Sequence, residues 1–176
     1  MNDSVFVPPG ATCVIFNSTV NGNVVVGTGA SITLVGATVT GTFVSSGAHD
    51  IRMGNCSEFG CAVPRPTLIR GNVLIQGTTG VPFFPTKNVI CDATFTGGNV
   101  VLQGNRAPFA IGTDPQCFAG GGDRVGASLV LSNNTAPITL AGNQISGFLE
   151  CVGNSPAPVN GGGNVAASKG GQCAGF

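Results

Sequence analysis

Apolar residues recur at every second position in short bursts along this chain. Val24 and Val26 share one side of the backbone, as do Ile32 and Leu34, Val73 and Ile75, Val100 and Leu102, and Leu129 and Leu131. Alternation of this kind predicts strands buried on one side. Glycine introduces the bursts: "NGNVVV" (21–26), "TGTFV" (40–44), "RGNVLI" (70–75), "GGNVVL" (97–102), "VGASLVL" (125–131), "SGFLE" (146–150) and "GGNVAA" (162–167). No apolar set at helical spacing survives ten residues, and 29 glycines with 11 prolines interrupt any helical register.

The spacing of these units predicts the fold. Gly22 and Gly41 lie 19 residues apart, and Gly126 and Gly147 lie 21 apart. Longer intervals of 30, 27 and 28 residues contain the segments "GNCSEFGCAVPRP", "TTGVPFFPTK" and "GTDPQCFAGGGD". A base period of about 20 residues with loops inserted on some turns predicts a right-handed parallel β-helix of about seven or eight coils. One coil alone has no interior; stacking aligns inward Val, Ile, Leu and Phe into columns and pairs each strand with those above and below. The expected organisation is a single domain over 1–176, with coils and inserted loops over 12–150 and a disulfide-closed C-terminal segment over 151–176.

Tight corners need φ > 0, which Gly and then Asn tolerate best. Asn23, Asn72, Asn99 and Asn164 each follow a glycine and precede a strand, and stacking predicts a ladder of their side-chain amides. Phe16, Phe43, Phe95 and Phe148 fall within strand units and are expected in the core. Phe83 and Phe84 fall in a loop, where packing against a coil is the favoured reading.

Composition narrows the function. Charged residues make up 8% and hydrophobic residues 42%, with a net charge of zero. This hydrophobicity argues against disorder. No basic run exists to meet nucleic acid, and no apolar run reaches the roughly 20 residues of a membrane span. The start "MNDSVFVPPG" lacks a signal-peptide pattern. The chain therefore either stays inside the cell or is a mature form with an added Met.

Seven cysteines favour the second case. Proximity suggests the pairs Cys56–Cys61, Cys91–Cys117 and Cys151–Cys173, which leaves Cys13 in "TCVIF" as the free thiol. No CxxC pair occurs and there is one His, so disulfides in an oxidising compartment are favoured over a zinc site. The first bridge would contribute about 2 kcal/mol and the third about 3.

Candidate chemistry is sparse. His49, Asp50 and Arg52 form the only cluster of titratable groups, and strand geometry is expected to set Asp50 and Arg52 on one face and His49 on the other. Asp114 and Asp123 share a glycine-rich loop that would offer calcium two carboxylates, against its usual six to eight oxygens; a disulfide-tied surface loop is the favoured reading. The "GGG" runs lack the Lys-Ser/Thr pair of a phosphate loop. Five dispersed Asp and the absence of Tyr and Trp argue against glycoside cleavage and aromatic sugar platforms. Thr33, Thr38, Thr40 and Thr42 suggest a threonine-rich face, which breaks off after two coils. Asn17, Asn55 and Asn133 open glycosylation triplets of the kind that also arise by chance.

"GNVVV" followed by "GASITLVGATVTGTFV" resembles the coils of the polymer-forming bactofilins, a family of right-handed parallel β-helices. The tail "CVGNSPAPVNGGGNVAASKGGQCAGF" resembles secreted actinobacterial β-solenoid proteins of unknown function. These resemblances imply a fold and an export route and supply no activity. The expectation is a non-enzymatic, secreted or cell-surface structural or surface-interaction solenoid without catalytic residues, metal or cofactor. Its expected partners are itself, end to end or laterally, or a cell-surface or extracellular polymer. Pro8 and Pro9 are expected to blunt one coil end and "NSPAP" the other. The alternative is a carbohydrate-binding or carbohydrate-active β-helix with carboxylates converging in a groove between loops.

Overall fold

The computed structural model of the chain describes residues 1, 3–54, 65–82, 87–115 and 121–176. Its strands wind in successive circuits as a parallel β-helix. The first circuit is β1 (Val5–Val7), β2 (Thr12–Phe16) and β3 (Thr19–Val20). The second is β4 (Val24–Val26), β5 (Ser31–Val35) and β6 (Thr38–Val39), and the third is β7 (Phe43–Ser46), β8 (Asp50–Gly54) and β9 (Leu68–Ile69). The fourth is β10 (Val73–Gln76), β11 (Asn88–Ile90) and β12 (Thr94–Phe95), and the fifth is β13 (Val100–Gln103), β14 (Phe109–Gly112) and β15 (Arg124–Val125). β16 (Leu129–Ser132), β17 (Ile138–Ala141) and the long β18 (Gln144–Val152) follow, then β19 (Val159–Asn160) and β20 (Val165–Gly171). Strands thus begin before residue 12, and winding continues past residue 151.

Stacking produces three faces. β1, β4, β7, β10, β13, β16 and the second half of β18 form the first; β2, β5, β8, β11, β14, β17 and β19 form the second; β3, β6, β9, β12, β15 and the first half of β18 form the third. β18 runs through the corner between the third and first faces and joins them into one sheet. Neighbouring strands pair in parallel, as in Val24↔Phe43, Val73↔Val100 and Val100↔Leu129. β20 lies on β18 with one register shift between Ile145 and Phe148.

The period-two pattern sorts side chains as expected. Val24, Val73, Val100 and Leu129 are buried, and Val26, Ile75, Leu102 and Leu131 form a second buried column. Phe43 and Phe95 join the core, with Phe109. Phe16 and Phe148 do not: they stand at the outward phase of β2 and β18 and are 42% and 61% exposed. Phe83 and Phe84 lie outside the described residues.

Two kinds of glycine shape the corners. Gly47, Gly77, Gly104, Asn133 and Gly153 stack at the corner between the first and second faces with φ between 53° and 70°. Left-handed backbone is why the column accepts only Gly and Asn. Gly98 has no such backbone; a Cβ there would stand 2.5 Å from Asn72 Oδ1. The glycines before the bursts from Gly22 to Gly147 therefore answer to close stacking between coils, whereas Gly163, before the last burst, has a φ of 71°.

The last circuit is plugged. Cys151 continues the inward column beyond Leu131 and is bridged to Cys173, both fully buried. Phe176 packs against the core, while Lys169 Nζ donates to the carbonyls of Asn164 and Phe176. At the other end, Val5, Ala11 and Cys13 pack against the core but remain partly exposed, and β1, β2 and β3 are sheet edges. Pro8 and Pro9 sit in this first corner, and Ser155–Pro158 lies in the last circuit between β18 and β19.

Candidate functional site

The polar groups with chemical potential gather around the second face, where the insertions leave the coils. Residues 77–87 precede β11, and residues 55–67 and 113–123 follow β8 and β14. The outer side of this face is buried at Val89 and Ala110, which cluster with Cys91 apart from the main core.

Asp50, at the start of β8, is 7% exposed and is the hub of the first cluster. Its Oδ2 accepts from Ser31 Oγ and meets His49 Nδ1 at 2.8 Å. His49 precedes the strand rather than continuing its alternation, which is why it reaches Asp50 instead of pointing to the opposite face. Asp50 and Arg52 do share the outward phase, since Ile51 and Met53 face the core. The serine hydroxyl bonds the carboxylate and not the imidazole, so the nucleophile–base contact of a triad is absent here. The imidazole instead abuts Gly80, where a Cβ would stand 2.4 Å from Nε2, and Gly80 N donates to His49 O at 2.7 Å. This arrangement fastens Gly80 to the third circuit.

Asp114 and Asp123 do not converge. Asp114 Oδ2 takes Lys87 Nζ at 2.8 Å with the carboxylate nearly buried, an ion pair that links the two corners bordering the second face. Among the described residues, no three His, Cys, Asp or Glu side chains are grouped to hold a metal ion.

Asp123 belongs to a buried ladder at the corner between the second and third faces. Asn143 N and Nδ2 both donate to Asn164 Oδ1, at 3.1 and 2.9 Å. Asp123 N donates to Asn143 Oδ1 at 3.3 Å, and Ala93 N to Asp123 Oδ1 at 2.8 Å. The amide nitrogens of Asn143 and Asn164 also donate to Ile111 O and Leu140 O, one circuit away. Asp123 Oδ2, in the corresponding place, has no hydrogen-bond partner and no solvent. Burial drives the Asp123 carboxyl well above its ordinary range; backbone donors from Ala93 and Gly112 pull the other way, and Asp92 adds to the rise. A protonated carboxyl has the shape of the carboxamides around it and supplies one of their two donor hydrogens.

The ladder expected from Asn23, Asn72, Asn99 and Asn164 is split. Asn23 Oδ1 accepts from Thr42 N, Asn72 Oδ1 from Asn99 N and Asn99 Oδ1 from Ser128 N, at 2.8, 3.0 and 3.1 Å, along the corner before the first face. Asn164 stands at another corner. A third ladder, absent from the sequence expectation, runs through Thr78, Asn105, Asn134, Asn154 and Gln172 inside the corner after the first face. Its signal is the recurrence of "GNRAP" (104–108), "NNTAP" (133–137) and "GNSPAP" (153–158).

The cysteines are partly placed. Cys151–Cys173 is formed as expected from proximity. Cys91 is disulfide-bonded; its expected partner Cys117, and the pair Cys56–Cys61, lie outside the described residues. Cys13 is free, and burial raises its thiol pKa.

A groove of about 600 Å³ lies on the third face, with Thr94, Thr96, Arg124, Gln144 and Ser146 among its lining, which includes no carboxylate. The described residues include no helix long and apolar enough to cross a membrane. The chain matches no protein-family model, no curated protein and no solved structure.

Proposed function

We propose that this chain is a non-enzymatic structural or surface-interaction solenoid of a secreted or cell-surface setting, self-associating through its coil ends. One observation carries this reading. The large apolar side chains that stand exposed are Met1, Phe6, Val14, Phe16 and Val25 in the first two circuits and Phe148, Val152, Val159 and Val165 in the last, with none between among the described residues. Apolar exposure confined to the ends of a stack marks the ends as contact surfaces. The first circuit adds three unpaired strand edges, which are templates for further pairing. The bridge between Cys151 and Cys173 and the bonded Cys91 fit an oxidising compartment.

The carbohydrate-directed alternative has less support. The groove on the third face carries one cation and no carboxylate pair, and the ring of Phe95 beside it is buried in the core rather than offered as a platform.

Cys13 reports on the first circuit. Its alkylation by N-ethylmaleimide at fixed pH slows as the concentration of the chain rises, because a second copy docked on the end covers the thiol. An alkylation rate independent of protein concentration, up to the solubility limit, overturns end association.

A further inference from the structure

The outer side of the first face carries a feature of which end association uses only the two extremities, Phe6 with Val25 and Phe148 with Val152. Phe6, Val25, Val44, Leu74, Val101 and Val130 lie in one outward column, each in register with the next, and the column ends at Glu150. Phe6 and Val25 are exposed and the other four apolar members are half-buried. β1, β4, β7, β10, β13 and β16 contain no charged residue. Phe148 and Val152 extend the apolar surface at the far end, at 61% and 51% exposure.

We propose that this face is a lateral docking surface for a second copy of the same chain, packed sheet against sheet. The proposal rests on the reading of the chain as a self-associating scaffold and names a surface other than its ends.

The chemistry of the face selects the occupant. The strands β1 to β16 of this face offer no cation to an anionic lipid or polymer. Tyr and Trp are absent from the chain, so there is no broad aromatic platform for sugar rings. The flanking polar groups are already engaged along the axis. Asn23, Asn72 and Asn99 accept from backbone amides of the next coil, and Gln76 Nε2 donates to Gln103 Oε1 at 3.2 Å. Covering the face therefore leaves those oxygens satisfied, while the amide nitrogens of Asn23, Asn72 and Asn99 would take their partners from the facing copy. What remains is a flat, uncharged, apolar-centred sheet, and a second such sheet stacked about 10 Å away is its complement.

The size fits a weak pair. Strands about 4.8 Å apart and residues about 3.3 Å apart give this face roughly 450 Å². Two copies would bury about 900 Å², at the low end for a specific interface and suited to a transient contact.

Sedimentation equilibrium of the full chain tests this, with Val101→Glu as the main variant. The expected result is a weak dimer whose Kd rises at least about tenfold in Val101→Glu, since the variant would bury an unpaired charge. Thr33→Glu, on the outer side of the second face, is expected to leave the dimer unchanged. A folded Val101→Glu chain that dimerises like the parent overturns the proposal, and so does a parent chain that is monomeric throughout. Should Val101→Glu fail to fold, Gln103→Cys in a Cys13→Ala background carries a spin label on the same face. Dipolar coupling between copies supports lateral pairing, and its absence overturns it. Cys13 protection that persists in Val101→Glu separates the two readings: the end contact then stands whatever becomes of the face.

Discussion

Asp123 occupies the place of an asparagine. Its neighbours along the corner, Asn143 and Asn164, each donate an amide hydrogen where Asp123 presents a carboxyl oxygen with no partner. A proton on that oxygen completes the pattern, and burial favours the protonated form. The sign for stability follows. The unfolded chain releases this proton near the ordinary aspartate value of about 3.9, and the folded chain holds it to higher pH. The group's contribution to stability is therefore full below that value and falls as pH rises toward the raised folded value. Asp123→Asn removes this dependence. Thermal melts across pH are expected to show the variant more stable than the parent at neutral pH, by about 1–3 kcal/mol, with a flatter pH profile. An unchanged profile would show that Asp123 is ionised in the folded chain. In the sequence, Asp123 shares a glycine-rich loop with Asp114, and a disulfide-tied surface loop is the reading favoured there over a calcium site. The column Ala93–Asp123–Asn143–Asn164 is visible only in three dimensions, because insertions make the spacing irregular. His49 shows the same limit: alternation puts it opposite Asp50, but the strand begins one residue later.

At the scale of the element, corners are the specified parts. Period-two alternation marked the inward columns, and the glycines before each burst marked the coil boundary. What stayed hidden was which corner each asparagine serves. Asn164 follows glycine and precedes a strand like Asn72, yet it stands at the corner between β19 and β20, where its Nδ2 donates to Asn160 Oδ1 and to Leu140 O. The outward phase of Phe16 and Phe148 was likewise set by strand register, which apolar character alone does not fix. The last element closes by a bridge across 22 residues. Replacing both Cys151 and Cys173 by Ser is expected to lower stability by about 3 kcal/mol. Denaturant titration checks it: the midpoint should fall with little change in slope. A fall no larger than that of an average surface substitution would mean that Gln172, Lys169 and Phe176 hold the plug without the bridge.

For the whole molecule, the governing fact is that each coil is stabilised by the coils beside it. Low charge follows from the stacking, because identical positions recur one above another and like charges there repel. The sequence showed the stack through its repeats, but not the inequality of its ends or the covering of the second face at Val89 and Ala110. Both are set by packing in three dimensions rather than by the repeat pattern. Site-resolved amide hydrogen exchange tests the stacked winding most directly. The strands with a partner on both sides, β7, β10, β13 and β16, are predicted to be the most protected on the first face. β1, with a neighbour on one side only, is predicted to exchange faster, and Val165–Gly171 to lose protection when the Cys151–Cys173 bridge is reduced. Exchange from β10 and β13 as fast as from β1 would contradict the account.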